Sequence, residues 1–409
     1  MGVHTSREVE FGALTLKFET FEDSEERQGK RWPTSSDDGF FLLGGTAVAS
    51  EWWTRVRSTN PEDDMVRKPV DWKMVGKWHG GDSYVWRPVP PEGYKVFSDF
   101  DMDERHDPWT TGLDDVVGCV KETHDGFTYA HVAEAEEAKS NMWLIKAPDY
   151  WYGTNGIRMI PGMGARCYSE GPPKDVASVH VLNLPVRIAK GSLPQKPLMD
   201  SFSKPVDDTD WVTEREIIVP FPAVKDSEKD YVWQVDNSPT YTLRREVRYH
   251  LEKFIDNEHS STEQSVGYSV TQGITQTQTD TWSAKVGISV SAKAGFDIEA
   301  VKAEVSTTLS VEMGYSSATS VSEMNSRTDI GTLKTPGFHA GAMYSSGHRL
   351  KAIREDGNTV GGEDSSISFT PNQDYYYPQY PEAADHATSV EALSTTTTAS
   401  PAPATVPTT

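Results

Sequence analysis

The side chains that could do catalytic or metal chemistry are present, but they are not spaced for it. The eleven histidines are scattered, and none forms an i, i+4 pair of the kind that holds zinc on a helix. The chain has no Gly-x-Ser-x-Gly elbow, no phosphate loop and no cysteine with a histidine partner in its sequence context. An all-β glycosidase would need two placed acids, and the many carboxylates do not single out a pair. We therefore expect a protein that is not an enzyme and uses no cofactor.

One acidic stretch has the spacing that opens a calcium loop. Asp99, Asp101 and Asp103 alternate, but an EF-hand also needs Gly at its sixth position and Glu at its twelfth. Glu104 and Thr110 occupy those positions, which excludes an EF-hand. We expect a solvated acidic loop and no metal, with an irregular calcium site as the alternative.

The most regular pattern of the chain runs from residue 284 to 313. Apolar and polar or glycine residues alternate through its first half, which is typical of a strand with one apolar and one polar face. The apolar positions change phase at Ala300-Val301, which predicts a hairpin turn near 299–301. Each arm is about 14 residues, against a usual strand of about 5–6.

Arms of that length are long enough to cross a bilayer, which takes about 9–11 residues of tilted strand. Because strands cross lipid only in closed barrels, several chains would each contribute one hairpin. The predicted membrane-inserting residues are Val286, Ile288, Val290, Ala292, Phe296, Ile298, Val301, Val305, Leu309 and Val311. The predicted pore-lumen residues are Lys285, Lys293, Asp297, Glu299, Lys302 and Glu304. The alternative is an antiparallel soluble sheet with one solvated face.

The flanks of this hairpin are rich in Ser, Thr and Gln, for example SVGYSVTQGITQTQTDTW at 265–282. Such strands predict a thin sheet without a large core. In this order and composition, residues 232–353 resemble the aerolysin-like β-pore-forming module. The resemblance implies an elongated antiparallel domain at 230–374, entered by a strand that begins near Tyr231 and closed by a strand at 338–354.

Composition limits the partners. The net charge of −22 argues against nucleic acid, which needs a basic surface, and against simple electrostatic attraction to anionic lipid. No apolar run is long enough for a transmembrane helix, and the first residues have no hydrophobic signal region. We expect a protein that is cytoplasmic before release, leaves without a signal peptide and acts at a target membrane. Cys119 and Cys167 are either bridged or structural thiols.

The first 186 residues contain a weak threefold repeat around Trp32, Trp86 and Trp143. Short alternating stretches between Pro/Gly turns predict a β-prism-like recognition domain. The segment WRPVPPEGY at 86–94 resembles the vacuolar protein sorting-associated protein 62 family, which implies a trafficking role as one alternative. The predicted surface-recognition residues are Trp86, Arg87, Tyr94 and Trp151.

These patterns predict an all-β protein in four parts. Residues 1–186 form the recognition domain, 187–229 a linker or wrapping segment, 230–374 the aerolysin-like domain, and 375–409 a disordered Thr/Pro-rich tail. The predicted function is that of a β-pore-forming toxin-like protein, which binds a glycan or lipid receptor, forms a homo-oligomer and inserts hairpin 284–313. The alternative is a soluble lectin-like protein without pore activity.

Overall fold

In the residues that it describes, the computed structural model of the chain is mostly β-sheet with few helices, which confirms the predicted all-β class. It describes residues 7–20, 25–27, 30–32, 38–43, 52–78, 83–103, 106–132, 135–139, 142–145, 156–159, 165–167, 180–185, 187–224, 226–273, 276–286, 288–291, 297–300, 305–307, 327–370 and 375–382. No helix in these ranges is both long and apolar enough to cross a bilayer.

The first half of the chain is a set of short strands. They are β1 (Glu8–Phe11), β2 (Leu14–Thr20), β3 (Glu25–Arg27), β4 (Lys30–Trp32), β5 (Phe41–Leu42), β6 (Trp52–Ser58), β7 (Val66–Arg67), β8 (Asp71–Trp78), β9 (Ser83–Val89), β10 (Tyr94–Lys95), β11 (Phe100–Asp103), β12 (Cys119–Lys121), β13 (Thr123–His124), β14 (Phe127–Thr128), β15 (Ala130–Val132), β16 (Ala135–Lys139), β17 (Met142–Ile145), β18 (Gly156–Met159), β19 (Ala165–Cys167) and β20 (His180–Pro185). One short helix, α1 (Leu113–Val116), and one 3-10 turn (Pro61–Asp63) interrupt them.

These strands pair antiparallel in several small sheets. Their orders are β1-β2-β6-β5, β3-β4, β10-β12-β7, β11-β9-β8, β13-β14, β15-β20-β18 and β16-β17-β19. The three repeat tryptophans, Trp32, Trp86 and Trp143, lie on strands of three different sheets. The threefold prism arrangement itself stays a prediction.

The second half contains the longer strands. They are β21 (Arg187–Lys190), β22 (Val212–Pro220), β23 (Thr240–Asn257), β24 (Gln264–Gln272), β25 (Ile288–Ser291), β26 (Asp297–Ala300), β27 (Val305–Thr307), β28 (Arg327–Thr335), β29 (His339–Arg354), β30 (Ile367–Phe369) and β31 (Gln379–Tyr380). The helices are α2 (Tyr231–Asn237) and α3 (Gln276–Val286), and a 3-10 turn covers Phe221–Ala223.

One large antiparallel sheet forms the frame of this half. Its order is β21-β22-β23-β29-β30, with β31 on the far end of β29. The pairing of β23 with β29 runs from Tyr241↔Arg354 to Asn257↔His339, with one bulge after Leu251. Tyr241 and Leu243 are almost fully buried and lie two residues apart, as expected for one face of a strand.

The main apolar core is continuous between the two halves. One cluster of buried side chains contains Phe11, Leu16 and Leu184 from the small sheets together with Ile217 and Leu350 from the large sheet. The division of the chain at residue 186 stays a prediction, but the side chains on its two sides share this core.

Two segments that the sequence predicted as strand are helical. The start of the second domain at Tyr231 is the helix α2, because the carboxylate of Asp230 accepts a hydrogen bond from the Trp233 backbone N–H at 2.8 Å and caps it. Residues 276–286, including Ala284, Lys285 and Val286 of the predicted hairpin, form α3. Trp282 and Val286 are one helical turn apart and both are buried, so packing overrides the strand-like alternation.

Candidate membrane-insertion segment

The predicted hairpin lies in a segment of the chain whose two ends join neighbouring positions of one strand pair. Strands β24 and β28 pair antiparallel along their whole length, from Gln264↔Thr335 to Gln272↔Arg327. We call this pair the stem, and residues 273–326 between its ends the docked segment. Because Gln272 and Arg327 are register partners, the chain leaves and re-enters the stem at neighbouring positions. The described parts of the docked segment contact the rest of the protein at three places.

The first contact is the buried face of α3. Trp282 is 3% exposed and Val286 is fully buried, and both belong to the main core cluster together with Leu350, Ile367 and Phe369. The Trp282 indole N–H is buried without a hydrogen-bond partner among the described residues. An unpaired buried donor costs about 1–3 kcal/mol, so this contact combines apolar stabilisation with a polar penalty.

The second contact is made by the residues that lead into α3. The backbone N–H of Gly273 donates to the carbonyl of Thr370 at 2.9 Å. The Gln278 side-chain amide donates to the carbonyl of Ser368 at 3.3 Å. These bonds hold the start of the helix against the end of β30, at the edge of the large sheet.

The third contact joins the docked segment to the first half of the chain. Strand β27 pairs antiparallel with β18, with the register partners Ile157↔Thr307, Arg158↔Ser306 and Met159↔Val305. This pairing extends the sheet β15-β20-β18 to four strands. The first half of the chain and the docked segment are therefore hydrogen-bonded through their backbones.

The predicted hairpin exists in a shorter form and with a different turn. Strands β25 and β26 pair with the register Ile288↔Ala300, Val290↔Ile298 and Ser291↔Asp297. The connection is therefore 292–296, and the turn predicted at 299–301 is wrong. Residues 297–300 belong to a strand, so the phase change at Ala300-Val301 does not mark the turn.

The structure places half of the predicted hairpin residues. Lys285 and Val286 lie in α3, Ile288 and Val290 in β25, Asp297, Ile298 and Glu299 in β26, and Val305 in β27. The others lie outside the described residues: Ala292, Lys293, Phe296, Val301, Lys302, Glu304, Leu309 and Val311. In this arrangement Val286 is a core residue of a helix and does not face lipid or solvent.

A segment from the predicted tail crosses from the large sheet to the stem. We call residues 375–380 the strap. The Tyr375 hydroxyl donates to Asp329 of β28 at 2.8 Å, and its ring packs edge-on against Tyr268 of β24 at 5.7 Å. Tyr376 exchanges both backbone hydrogen bonds with Tyr344 of β29. Sequence reasoning assigned these tyrosines to the tail and missed this contact, although three consecutive aromatic residues are unusual in a disordered segment.

The structure describes three of the four predicted surface-recognition residues. Tyr94 is 5% exposed, and its hydroxyl donates to the Asp64 carbonyl at 2.6 Å, so its surface role is wrong. Arg87 makes a bidentate ion pair with Asp99 at 2.8 and 2.7 Å. Trp86 is half-buried and packs edge-on against Trp109. Trp151 lies outside the described residues.

The structure settles the state of one cysteine and of the first aspartate in the acidic loop. Cys119 is a free, fully buried thiol, and burial raises its pKa to about 12, so the alternative of a bridge to Cys167 is wrong. The Asp99 side chain, which would open a calcium loop, is almost fully buried and is bound to Arg87. Across the ranges that the structure describes, no group of three or more His, Cys, Asp or Glu side chains is placed to hold a metal ion.

One comparison with known proteins matches part of the second half of the chain, and another covers most of its length. Residues 212–335 match the model of the family described as Insecticidal Crystal Toxin, P42. This range covers β22, β23, the stem and the docked segment, which are therefore toxin-like in sequence. The solved structure titled "Crystal structure of Cry35Ab1" is similar over 91% of this chain and 91% of its own, with 13% sequence identity and a TM-score of 0.37. The search of curated proteins gave no match. The resemblance to the vacuolar protein sorting-associated protein 62 family finds no support.

Proposed function

We propose that this is a β-pore-forming toxin-like protein that binds a target cell surface, assembles with copies of itself and inserts hairpin 284–313 into the membrane as part of a β-barrel. A glycan or a lipid headgroup would be the receptor. The protein would be released from the producing cell and act at the target membrane, without a catalytic step, a cofactor or nucleic acid. The match to the toxin family over 212–335 supports this class.

The pairing of the two stem strands is the observation that best supports this proposal. Because Gln272 and Arg327 are register partners, residues 273–326 can leave the body without breaking any pair of the stem. If this segment became extended, its two arms would continue β24 and β28 as one long hairpin. Each arm would reach roughly 90 Å at about 3.3 Å per residue, far more than the tilted strand of about 9–11 residues that spans a bilayer.

The sequence of α3 also favours such a conversion. Thr277, Thr279 and Thr281 alternate along the helix, and β-branched residues prefer strands. The helix therefore depends on burial of Trp282 and Val286, and both side chains leave the core when the segment undocks. Pairing with neighbouring chains and burial of apolar side chains in lipid would offset that loss.

A reversible cross-link tests the proposal at the third contact. Arg158 and Ser306 are directly opposite in an antiparallel pair, where Cα atoms lie about 4.5–5.5 Å apart and a disulfide is feasible. We would introduce R158C and S306C in a Cys167→Ser background and keep the buried Cys119. The oxidised protein should release no dye from liposomes that carry target-membrane glycolipids, and reduction should restore release.

Two controls make the result decisive. The single variant S306C should release dye under oxidising and reducing conditions alike. If the oxidised double variant still forms pores, the docked segment is not the inserting element. If the reduced protein and the unmodified chain release no dye but precipitate glycans, the lectin-like alternative replaces the proposal.

A further inference from the structure

A cleft of about 430 Å³ lies where the docked segment meets the large sheet. Its walls come from β23 and β29 of the sheet, from the end of β24 and from the end of β30. The lining side chains used below are Trp211, Arg248, His250, Glu252, Gln278 and Ser345. The volume falls within the range of small-ligand sites, about 300–1,000 Å³.

Trp211 gives the cleft a fixed aromatic wall. The Arg248 and Arg349 guanidinium groups lie 4.5 and 4.2 Å from its ring centroid, so the indole is held in place by cation–π contacts. Gly347 on β29 is also part of the lining and adds no side chain. A Cβ at this position would lie in ordinary van der Waals contact with Arg248 and Trp211 atoms, at 3.8–4.0 Å, so a small side chain fits over Gly347.

The charged groups around the cleft carry both signs. Asp208 lies 3.2 Å from the Arg248 guanidinium and 2.7 Å from Nδ1 of His250. Glu252 accepts a hydrogen bond from the Ser345 hydroxyl at 2.6 Å. Arg248 and Glu252 both line the cleft, so a ligand of either charge would meet a group of its own sign.

A neutral ligand would meet groups that suit hydroxyls beside Trp211. The Glu252 carboxylate and the Ser345 hydroxyl oxygen can accept further hydrogen bonds, and the imidazole of His250 has a second ring nitrogen, so these groups can pair with sugar hydroxyl groups. We infer that this cleft is a binding site for a neutral saccharide of one or two rings. Its position in the second half separates it from the recognition residues predicted in the first half.

A saccharide in this cleft would also affect how readily the docked segment leaves the body, a consequence that rests on the proposed function. Gln278 belongs to α3, whereas Trp211, Arg248 and Gly347 belong to the body. A saccharide in the cleft touches both and is bound only while α3 is docked. It stabilises the docked state by mass action, so it delays insertion rather than triggering it.

The binding test uses the full chain and a blocking variant that the strand tolerates. Gly347→Val adds three carbon atoms to the cleft beside Arg248 and Trp211, and valine suits a strand. The matched control is Gly267→Val on β24, where the added Cβ meets a single backbone oxygen at 3.9 Å. The probes are the methyl glycosides of galactose, mannose and N-acetylglucosamine, together with lactose and the anionic 3′-sialyllactose, followed by saturation-transfer NMR.

At least one neutral probe should bind, with affinity lowered more than about tenfold in Gly347→Val and unchanged in Gly267→Val. The inference is overturned if no neutral probe binds, if Gly347→Val leaves binding intact, or if 3′-sialyllactose alone shows binding that is sensitive to Gly347→Val. Unchanged melting temperatures of both variants would show that the fold is kept. Because this readout involves no membrane, it is independent of pore formation. In dye release, the binding sugar should slow the wild type and leave Gly347→Val unaffected.

Discussion

Val286→Ala separates the docking role of α3 from a role in lipid. Val286 is fully buried in the main core, and truncation to alanine removes two carbon groups at about 0.8 kcal/mol each plus a cavity term. Alanine is the better helix former by up to about 0.7 kcal/mol, which offsets part of the loss. The net destabilisation of the docked state is about 1.5–2 kcal/mol, which corresponds to roughly 10- to 30-fold more frequent opening of α3.

Thr281→Ala is the matched control, because it brings a similar gain in helix propensity at an exposed position of the same helix. Hydrogen exchange of the α3 amides should be faster in Val286→Ala and slower in Thr281→Ala. Initial rates of dye release should follow the same order. If Val286 faces lipid after insertion, its truncation also destabilises the inserted state. The balance between the docked and inserted states then shifts little, so the final extent of dye release should change less than its initial rate.

The reasoning fails if exchange in α3 accelerates but dye release does not. Undocking of the helix would then lie off the path to the membrane. It also fails if Val286→Ala leaves exchange in α3 unchanged, because burial of this side chain would then not hold the helix.

Two further changes test the frame that carries the docked segment. Burial and the nearby Arg245 lower the pKa of His348 from 6.5 to about 3, so the folded state favours the neutral ring. Above about pH 6.5 the ring is neutral in the folded and the unfolded state, and the stability is complete. As the pH falls toward 3, the ring is protonated in the unfolded state first, so the free energy of unfolding decreases by about 1.4 kcal/mol for each pH unit. Free energies of unfolding from urea titrations between pH 7 and 4 should show this loss in the wild type and a weaker dependence on pH in His348→Gln. An equal pH dependence of the two proteins would contradict the prediction. The Asp226 side chain is fully buried and accepts from Arg354 through both oxygens, at 2.8 and 2.6 Å, and from the Tyr241 hydroxyl at 2.9 Å. Asp226→Ala should lower the free energy of unfolding by about 3–5 kcal/mol, since it leaves the Arg354 charge buried; a loss below about 1 kcal/mol would show that Glu228 alone satisfies the guanidinium.

The long strands could be predicted because apolar and polar side chains alternate along them, and the alternation corresponds to a buried and an exposed face. Tyr241, Leu243 and Val247 alternate with polar residues on β23 and are buried as the period of two requires. The closing strand that the resemblance implied at 338–354 is β29, which runs from His339 to Arg354. Alternation over so many residues leaves little room for another interpretation.

The helix α3 could not be predicted because its local preference opposes its structure. Its threonines alternate as in a strand, and the two residues that hold it, Trp282 and Val286, are a weak helical signal on their own. The surface-recognition role predicted for Tyr94 was wrong for another reason. A motif can indicate which residues matter, but it does not tell whether an aromatic ring packs inward, as Tyr94 does, or faces a ligand.

The pairing of β27 with β18 restricts how such proteins can be recombined. Residues 156–159 and 305–307 must match in register for the resting form to close. A chimera that takes its first half from a relative would break this match unless both strands were exchanged together. Exchanging the first half without the partner strand would therefore leave β27 unpaired, and the docked segment would lose this contact already in solution.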